Sequence, residues 1–272
     1  MPKIDEIVAT WDSAEGWTAG GDEWSGPWGG TEPLWWGTLM PRIHSFVPAG
    51  TILELGPGQG RWSQFLKDLC DELVLVDVAA HSIDACRRRF AGASNVAYHV
   101  GDGKSLSFVP DRSVDFAFSF DSLVHAEADV LDAYARELAR VLKPDGVAFL
   151  HHSNMGAYAR AAGLARRLPE EVRRRLTIRG LVVNLFAWRA ESVTAELFAR
   201  QCSDAGLACL SQELHSWEYG RHLTDAITVV TPRGSSLERA PVAIENPCFM
   251  EEARAVARIA PLYFAAPRNI ST

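Results

Sequence analysis

A doubly wound α/β sheet is the fold this sequence predicts, and three observations carry the prediction. Short apolar runs rich in β-branched residues recur from Thr51 onward: TILELG, LVLVDV, NVAYHV, VDFAFSF and GVAFLHH. Polar stretches of helical spacing separate them. The first run ends in the glycine-rich turn Gly56-Pro57-Gly58-Gln59-Gly60. Strands that alternate with helices are covered on both faces, which makes them apolar throughout rather than alternately apolar and polar.

Residues 1–48 precede the first strand. They are rich in Trp and Gly without a sustained period, and read as loops with two short helices. Helices are then expected over Arg61 to Leu69, His81 to Phe90 and Asp129 to Leu142. The last has Val130, Leu131, Tyr134, Leu138 and Val141 on one face and stops before Lys143-Pro144-Asp145-Gly146. After the fifth strand, residues 153–189 carry seven arginines between Arg160 and Arg179 and predict an inserted helical segment. A helix from Ala190 to Ala205 and the runs LACLSQEL and DAITVVT complete a seven-stranded sheet. On this plan residues 1–48 are a Trp-rich lid segment, the α/β domain spans 49–232, and 233–272 is a C-terminal extension, loop-like until a helix near Glu251 to Ile259.

The 272 residues, 47% hydrophobic and 22% charged, suit one large domain with elaborations. A net charge of −7 argues against a nucleic-acid partner. No run approaches the roughly 18 apolar residues of a membrane helix, and MPKIDEIVATWDS lacks the form of a signal peptide, so a cytoplasmic protein with no membrane partner is expected. Cys70, Cys86, Cys202, Cys209 and Cys248 are scattered, with no paired spacing for zinc, and read as reduced thiols. Seven of the nine tryptophans, among them Trp11, fall in the first 62 residues.

Glycines at 56, 58 and 60 let a ligand approach the backbone closely, and Arg61 stands where a nicotinamide-type fingerprint would need another glycine. The second strand ends in Asp77, 77 − 54 = 23 residues after Glu54, near the distance at which an acid reaches ribose hydroxyls in such folds. Gly101-Asp102-Gly103 places another carboxylate at the same sheet edge. With these three features in order, the chain resembles the class I S-adenosylmethionine-dependent methyltransferases. ELGPGQG, Asp77, Gly101-Asp102-Gly103, VDFAFSFDSLVH and ELARVLKPDGVAFL carry the resemblance over about residues 50–152. It implies a Rossmann-like fold and S-adenosyl-L-methionine as cofactor. It also implies Glu54, Gly56, Gly58 and Gly60 near the methionine moiety, Asp77 on the ribose, and Asp102 and Gly103 at the adenine, with Phe120 beside them.

Methyl transfer to a hydroxyl requires a base, and candidates fall at the carboxyl ends of the fourth and fifth strands: Asp121, His125, His151 and His152. Adjacent residues of a strand point to opposite faces, so at most one of His151 and His152 faces the substrate, where it would act as base with Asp121 orienting it or binding substrate. Magnesium is the competing use of Asp121, His125 and His152, with Asp121 and His152 as its ligands. Trp28, Trp35 and Trp36 are expected to stack on the acceptor. Together with SFDSLVHAE and HHSN, the front segment resembles bacterial methyltransferases of glycan assembly, which implies a glycoside or oligosaccharide acceptor of the methylmannose or methylrhamnose type. The alternatives are an aromatic or polyketide natural product as acceptor, or a non-catalytic cofactor-binding scaffold. A homodimer is left open. A front lid implies that deleting residues 1–36 weakens acceptor binding more than it unfolds the core.

Overall fold

The computed structural model describes residues 17–185, 188–217 and 222–263; Trp11 and the rest of the first sixteen residues of the expected lid lie outside them. The chain builds one mixed sheet from β1 (Ala49–Leu55), β2 (Cys70–Asp77), β3 (Val96–Val100), β4 (Val114–Ser119), β5 (Leu142–Ser153), β6 (Leu207–His215), β7 (Asp225–Pro232) and β8 (Val242–Asn246). Their order is β3-β2-β1-β4-β5-β7-β6-β8. The first five are parallel, β7 is antiparallel to β5 and β6, and β8 runs parallel to β6.

The sheet therefore has eight strands where the sequence predicts seven. The extra strand comes from the tail read as loop. Val242, Ala243, Ile244 and Glu245 are all exposed at the sheet edge, so no buried face imprints a hydrophobic pattern on them.

Helices cover both faces. The front segment contributes a 3-10 turn, Asp22–Trp28, and a continuous helical run, α1, made of Thr31–Leu34, the π turn Trp35–Leu39, and Met40–Ile43. There follow α2 (Ser63–Leu66), α3 (Ala80–Arg89), α4 (Ala128–Val141), α5 (Ala159–Ala165), α6 (Glu170–Ile178), α7 (Ala195–Asp204) and α8 (Phe249–Tyr263). Ile52, Leu75, Phe116, Phe118 and Phe149 point to the face covered by α1, α3 and α8. Leu53, Leu55, Ala117 and Leu150 point to the face covered by α4 and α7.

Local chemistry explains the helix ends. The buried stripe of α4 is the predicted one, and the chain turns extended at Leu142 ahead of Pro144, whose ring disfavours helical geometry in the residue before it. Thr194 caps α7, its Oγ1 accepting the Leu197 N–H at 2.9 Å. Only Ser63–Leu66 of the helix expected over Arg61 to Leu69 is α-helical; the rest is turn.

The front segment packs as core. Trp35 is fully buried, stacked on Phe65 at 4.8 Å and edge-on to Phe118 at 6.3 Å. Trp28, also fully buried, donates its Nε1–H to Thr38 Oγ1 at 3.0 Å and packs on Trp217 and Phe249. Arg42 of α1 forms bidentate pairs with Glu213 of β6 and Glu252 of α8, all at 2.8 to 2.9 Å. Gly37 lets α1 meet α8: a Cβ there would lie 2.8 Å from both methyls of Val256.

β1 and β4 are neighbours although two strands separate them in sequence, so the chain reverses its winding direction between them. A crevice opens at their carboxyl ends, the usual place for a ligand in open α/β sheets.

Candidate active site

The crevice holds a cleft of about 970 Å³, counted out to its open mouth. The turn after β1 supplies its floor. Gly56 has φ +69° and a Cβ there would lie 1.8 Å from Ser122 Oγ; Gly58 has φ +56° and a Cβ there would meet Trp17. Neither position accommodates a side chain, and both glycines line the cleft. Asp77, at the end of β2, fixes this turn: Oδ2 accepts the Gly58 N–H at 3.0 Å and Oδ1 the Ala79 N–H at 2.9 Å. From α3, Cys86 donates its S–H to the Gly58 carbonyl at 3.1 Å.

Glu54 lies beneath the turn, buried, with Ser63 Oγ–H donating to Oε2 at 2.6 Å. Its Oε1 has no hydrogen-bond partner among the described residues. Burial, with Asp77 nearby, pushes its carboxyl up to about 8 against the Ser63 hydrogen bond. Burial without an adequate counter-charge keeps this acid protonated at neutral pH, and a cationic group brought against it would favour its ionised form.

The rest of the cleft lining is aromatic and charged. Trp17, Trp24, Trp62, Phe120 and Tyr134 line it with Arg61, Asp121, Ser122 and His125. Arg61 donates from Nη2 to Asp121 Oδ2 at 2.7 Å, and its guanidinium lies 4.4 Å from the Trp62 ring centroid. Burial works against ionising Asp121, but Arg61 and then Arg189 outweigh it and hold the carboxyl below the usual range. His125 donates Nδ1–H to the Trp188 carbonyl at 2.5 Å, which puts the ring's lone pair on Nε2. Burial, with Arg189 nearby, holds His125 below the ordinary histidine value.

Of the proposed catalytic residues, Asp121 and His125 line the cleft, whereas His151 and His152 do not. His152 is a correction forced by strand geometry. It points to the α7 face, where it packs edge-on to Phe198 and Nε2 meets Thr228 Oγ1 at 2.7 Å; burial lowers it to about 4. His151 points to the opposite face, buried behind Phe120, and its Nδ1 accepts the Asp121 backbone N–H at 3.1 Å. Asp121 and His152 thus stand on opposite sides of the sheet and cannot share a magnesium ion.

Among the described residues, His151, His215 and Asp225 do bring ligand atoms within 4.8 Å of one another. His151 Nε2 and both ring nitrogens of His215 have no hydrogen-bond partner among the described residues, but a cation there would compete with Arg189 for Asp225. The Asp121 N–H can only donate, so His151 carries its proton on Nε2, the atom that faces Asp225 at 3.4 Å, and Arg189 Nε–H holds Asp225 Oδ1 at 2.6 Å.

The tryptophans are redistributed too. Trp28 and Trp35 are structural, Trp36 is 48% exposed outside the cleft, and Trp17, Trp24 and Trp62 take the lining positions. Sequence alone could have found Trp62 from its place beside the glycine turn. On the cofactor side, Gly56, Gly58, Asp77, Gly103 and Phe120 line the cleft; Gly60 and Glu54 stand behind it. Asp102 turns outward, its Oδ1 accepting the Lys104 and Ser105 N–H groups at 2.8 and 2.7 Å, which lower its carboxyl below the usual range.

Residues 52–146 match the family model described as a methyltransferase domain. The chain is 34% identical over 112 residues to the biotin biosynthesis bifunctional protein BioHC of Cellvibrio japonicus, covering 41% of this chain and 21% of that protein. It is 30% identical over 123 residues to a cypemycin N-terminal methyltransferase of a Streptomyces species, covering 45% and 50% respectively. The chain thus spans between a fifth and a half of the length of these curated relatives. In structure it is similar to DhpI in complex with SAH, with TM-score 0.54 and 20% identity over 84% of this chain and 96% of that one. The unpartnered Glu54 oxygen, the glycine floor and Asp77 suit S-adenosylmethionine. Among the described residues, no helix is long and apolar enough to cross a membrane. The sheet order, the glycine floor and the family match agree: residues 52–146 match a methyltransferase domain, set in a Rossmann-like α/β fold.

Proposed function

We propose that the chain is a methyltransferase for a small natural product with an aromatic or otherwise apolar face, methylating a hydroxyl or amine with His125 as the proton acceptor. The observation that carries this reading is the composition of the cleft, where the glycine floor adjoins an aromatic wall holding two proton-accepting side chains. Bound S-adenosylmethionine supplies an activated methyl group on a sulfonium. Glu54 and the backbone at Gly56 and Gly58 would hold its methionine part, and Asp77 its ribose.

The chain's own residues do the rest. Trp17, Trp24, Trp62 and Phe120 exclude water and fix the plane of the acceptor. His125, un-ionised at neutral pH and with Nε2 as its acceptor nitrogen, takes the proton that the nucleophile loses. Asp121 is held ionised by Arg61 and orients the acceptor's polar group.

A glycan acceptor draws less support. Trp28, Trp35 and Trp36, which suggested it, do not line the cleft, and Arg61 and Asp121 are bonded to each other, leaving few groups for many sugar hydroxyls. The test is release of S-adenosylhomocysteine across a panel of phenols, amines and sugars. Turnover with phenols or amines that falls in His125→Ala supports the reading; turnover with sugars alone, or absence of S-adenosylhomocysteine binding at millimolar concentration, sinks it.

A further inference from the structure

Behind the cleft, buried polar residues form a bracket with two arms. Its centre is Asp225 of β7, 1% exposed in its side chain, which accepts the Arg189 Nε–H at 2.6 Å. Burial opposes the carboxylate, but Arg189 and the adjacent His151 ring overcome it and hold Asp225 far below the usual range.

One arm runs through the chain. Arg189 follows Trp188, whose carbonyl holds His125 Nδ1–H at 2.5 Å. The other arm runs through His151, with Nε2 3.4 Å from Asp225 Oδ1 and Nδ1 accepting the Asp121 N–H. Asp225, Arg189 and His151 all lie outside the cleft lining, and each arm ends on a residue inside it.

The backbone marks the same two endpoints. Among the described residues, only Arg112, Asp121 and Trp188 combine a side chain larger than glycine's with positive φ, at +50°, +64° and +52°. Such a residue costs of order 1 kcal/mol or more and persists where its surroundings over-determine it. Two of the three sit where the arms attach.

We propose that Asp225, with Arg189 and His151, is a positioning device for methyl transfer: it selects the Nδ1–H tautomer of His125 and fixes the backbone that presents Asp121. The proposal rests on the reading of the cleft as the methyl-transfer site. A neutral histidine side chain in water prefers the Nε2–H tautomer, which would leave His125 presenting a donor to the cleft. The Trp188 carbonyl reverses this preference, and the Arg189–Asp225 ion pair keeps that carbonyl in place. Arg189 also neutralises Asp225, so the proton on His151 Nε2 stays there and Nδ1 remains an acceptor for Asp121.

The experiment is a long-range 15N–1H correlation of the histidine rings in the full chain at pH 8, with His125 assigned from its loss in His125→Gln. The wild type should show the Nδ1–H pattern at His125. Asp225→Asn and Arg189→Met should shift most of it to Nε2–H while S-adenosylhomocysteine binds within about twofold of wild type and unfolding stays cooperative. Arg189→Lys should retain more of the wild-type pattern than Arg189→Met. A wild-type Nε2–H pattern, or a pattern unchanged in the folded variants, overturns the proposal; if Asp225→Asn does not fold, Arg189→Met decides alone. Failure of the wild type to bind S-adenosylhomocysteine would instead remove the methyl-transfer reading and leave the tautomer result standing.

Discussion

The indole of Trp17 packs so closely over Gly58 that a Cβ on the glycine would lie 2.6 Å from its Cη2. The front segment and the glycine floor are thus fitted to one another, across a backbone held at positive φ. Gly58→Ala should therefore keep the sheet but weaken S-adenosylhomocysteine binding by about 30-fold or more, equivalent to about 2 kcal/mol, as read by calorimetry. Trp17→Ala, which relieves the clash, should recover part of that loss in the double variant.

Glu54 makes the apo protein's stability fall as pH rises. Its carboxyl holds a proton up to about 8 when folded and loses it near 4.5 when unfolded. The stability it contributes is thus fully present below 4.5 and is lost through 8. Glu54→Gln should remove this decline, seen as a flatter melting temperature between pH 5 and 8. If Glu54 receives the cofactor's ammonium, wild-type binding of S-adenosylhomocysteine at pH 7 should release up to one proton and the variant none, measured by calorimetry in buffers of different ionisation enthalpy.

His152 and His215 act at the acid end. Burial lowers them to about 4 and about 3, against 6.5 when unfolded. The unfolded chain binds the extra protons, so their contribution is complete above 6.5 and is lost as pH falls towards 3. Neither ring nitrogen of His215 has a partner among the described residues, and the ring stacks on Phe249 at 4.1 Å. His215→Phe should therefore raise the melting temperature at pH 5 more than at pH 8.

His125 and His152 separate chemistry from packing. With an acceptor that supports turnover, His125→Ala should lower kcat by about 100-fold or more, and His152→Ala should cost stability while leaving kcat per folded molecule near wild type. Equal losses of kcat in both variants would count against His125 as the base.

The glycine turn, Asp77 and the five parallel strands were legible because their signals are local: a buried strand, a turn that needs glycine, an acid at a strand end. The choice among histidines was not. Alternation along β5 separates His151 from His152, but that neither lines the cleft depends on Phe120 and Asp121 filling the space in front of His151. His125 reaches the cleft through Trp188, 63 residues away. The tryptophans failed for the same reason: Trp28 is buried by the return of α8 across the 3-10 turn and by Trp217, contacts distant in sequence that Trp36 does not share.

Arg42 grips Glu213 and Glu252 at once, so the front run, a sheet strand and the final helix share one ionic clasp. Local opening should then involve both ends of the chain together, and backbone amides of α1 and α8 should exchange with solvent at matched rates. Excising residues 1–36 would strip Trp28, Leu34 and Trp35 from one face of the sheet. The truncated chain would lose its fold before its affinity for an acceptor could be compared, and the front segment is better probed one side chain at a time.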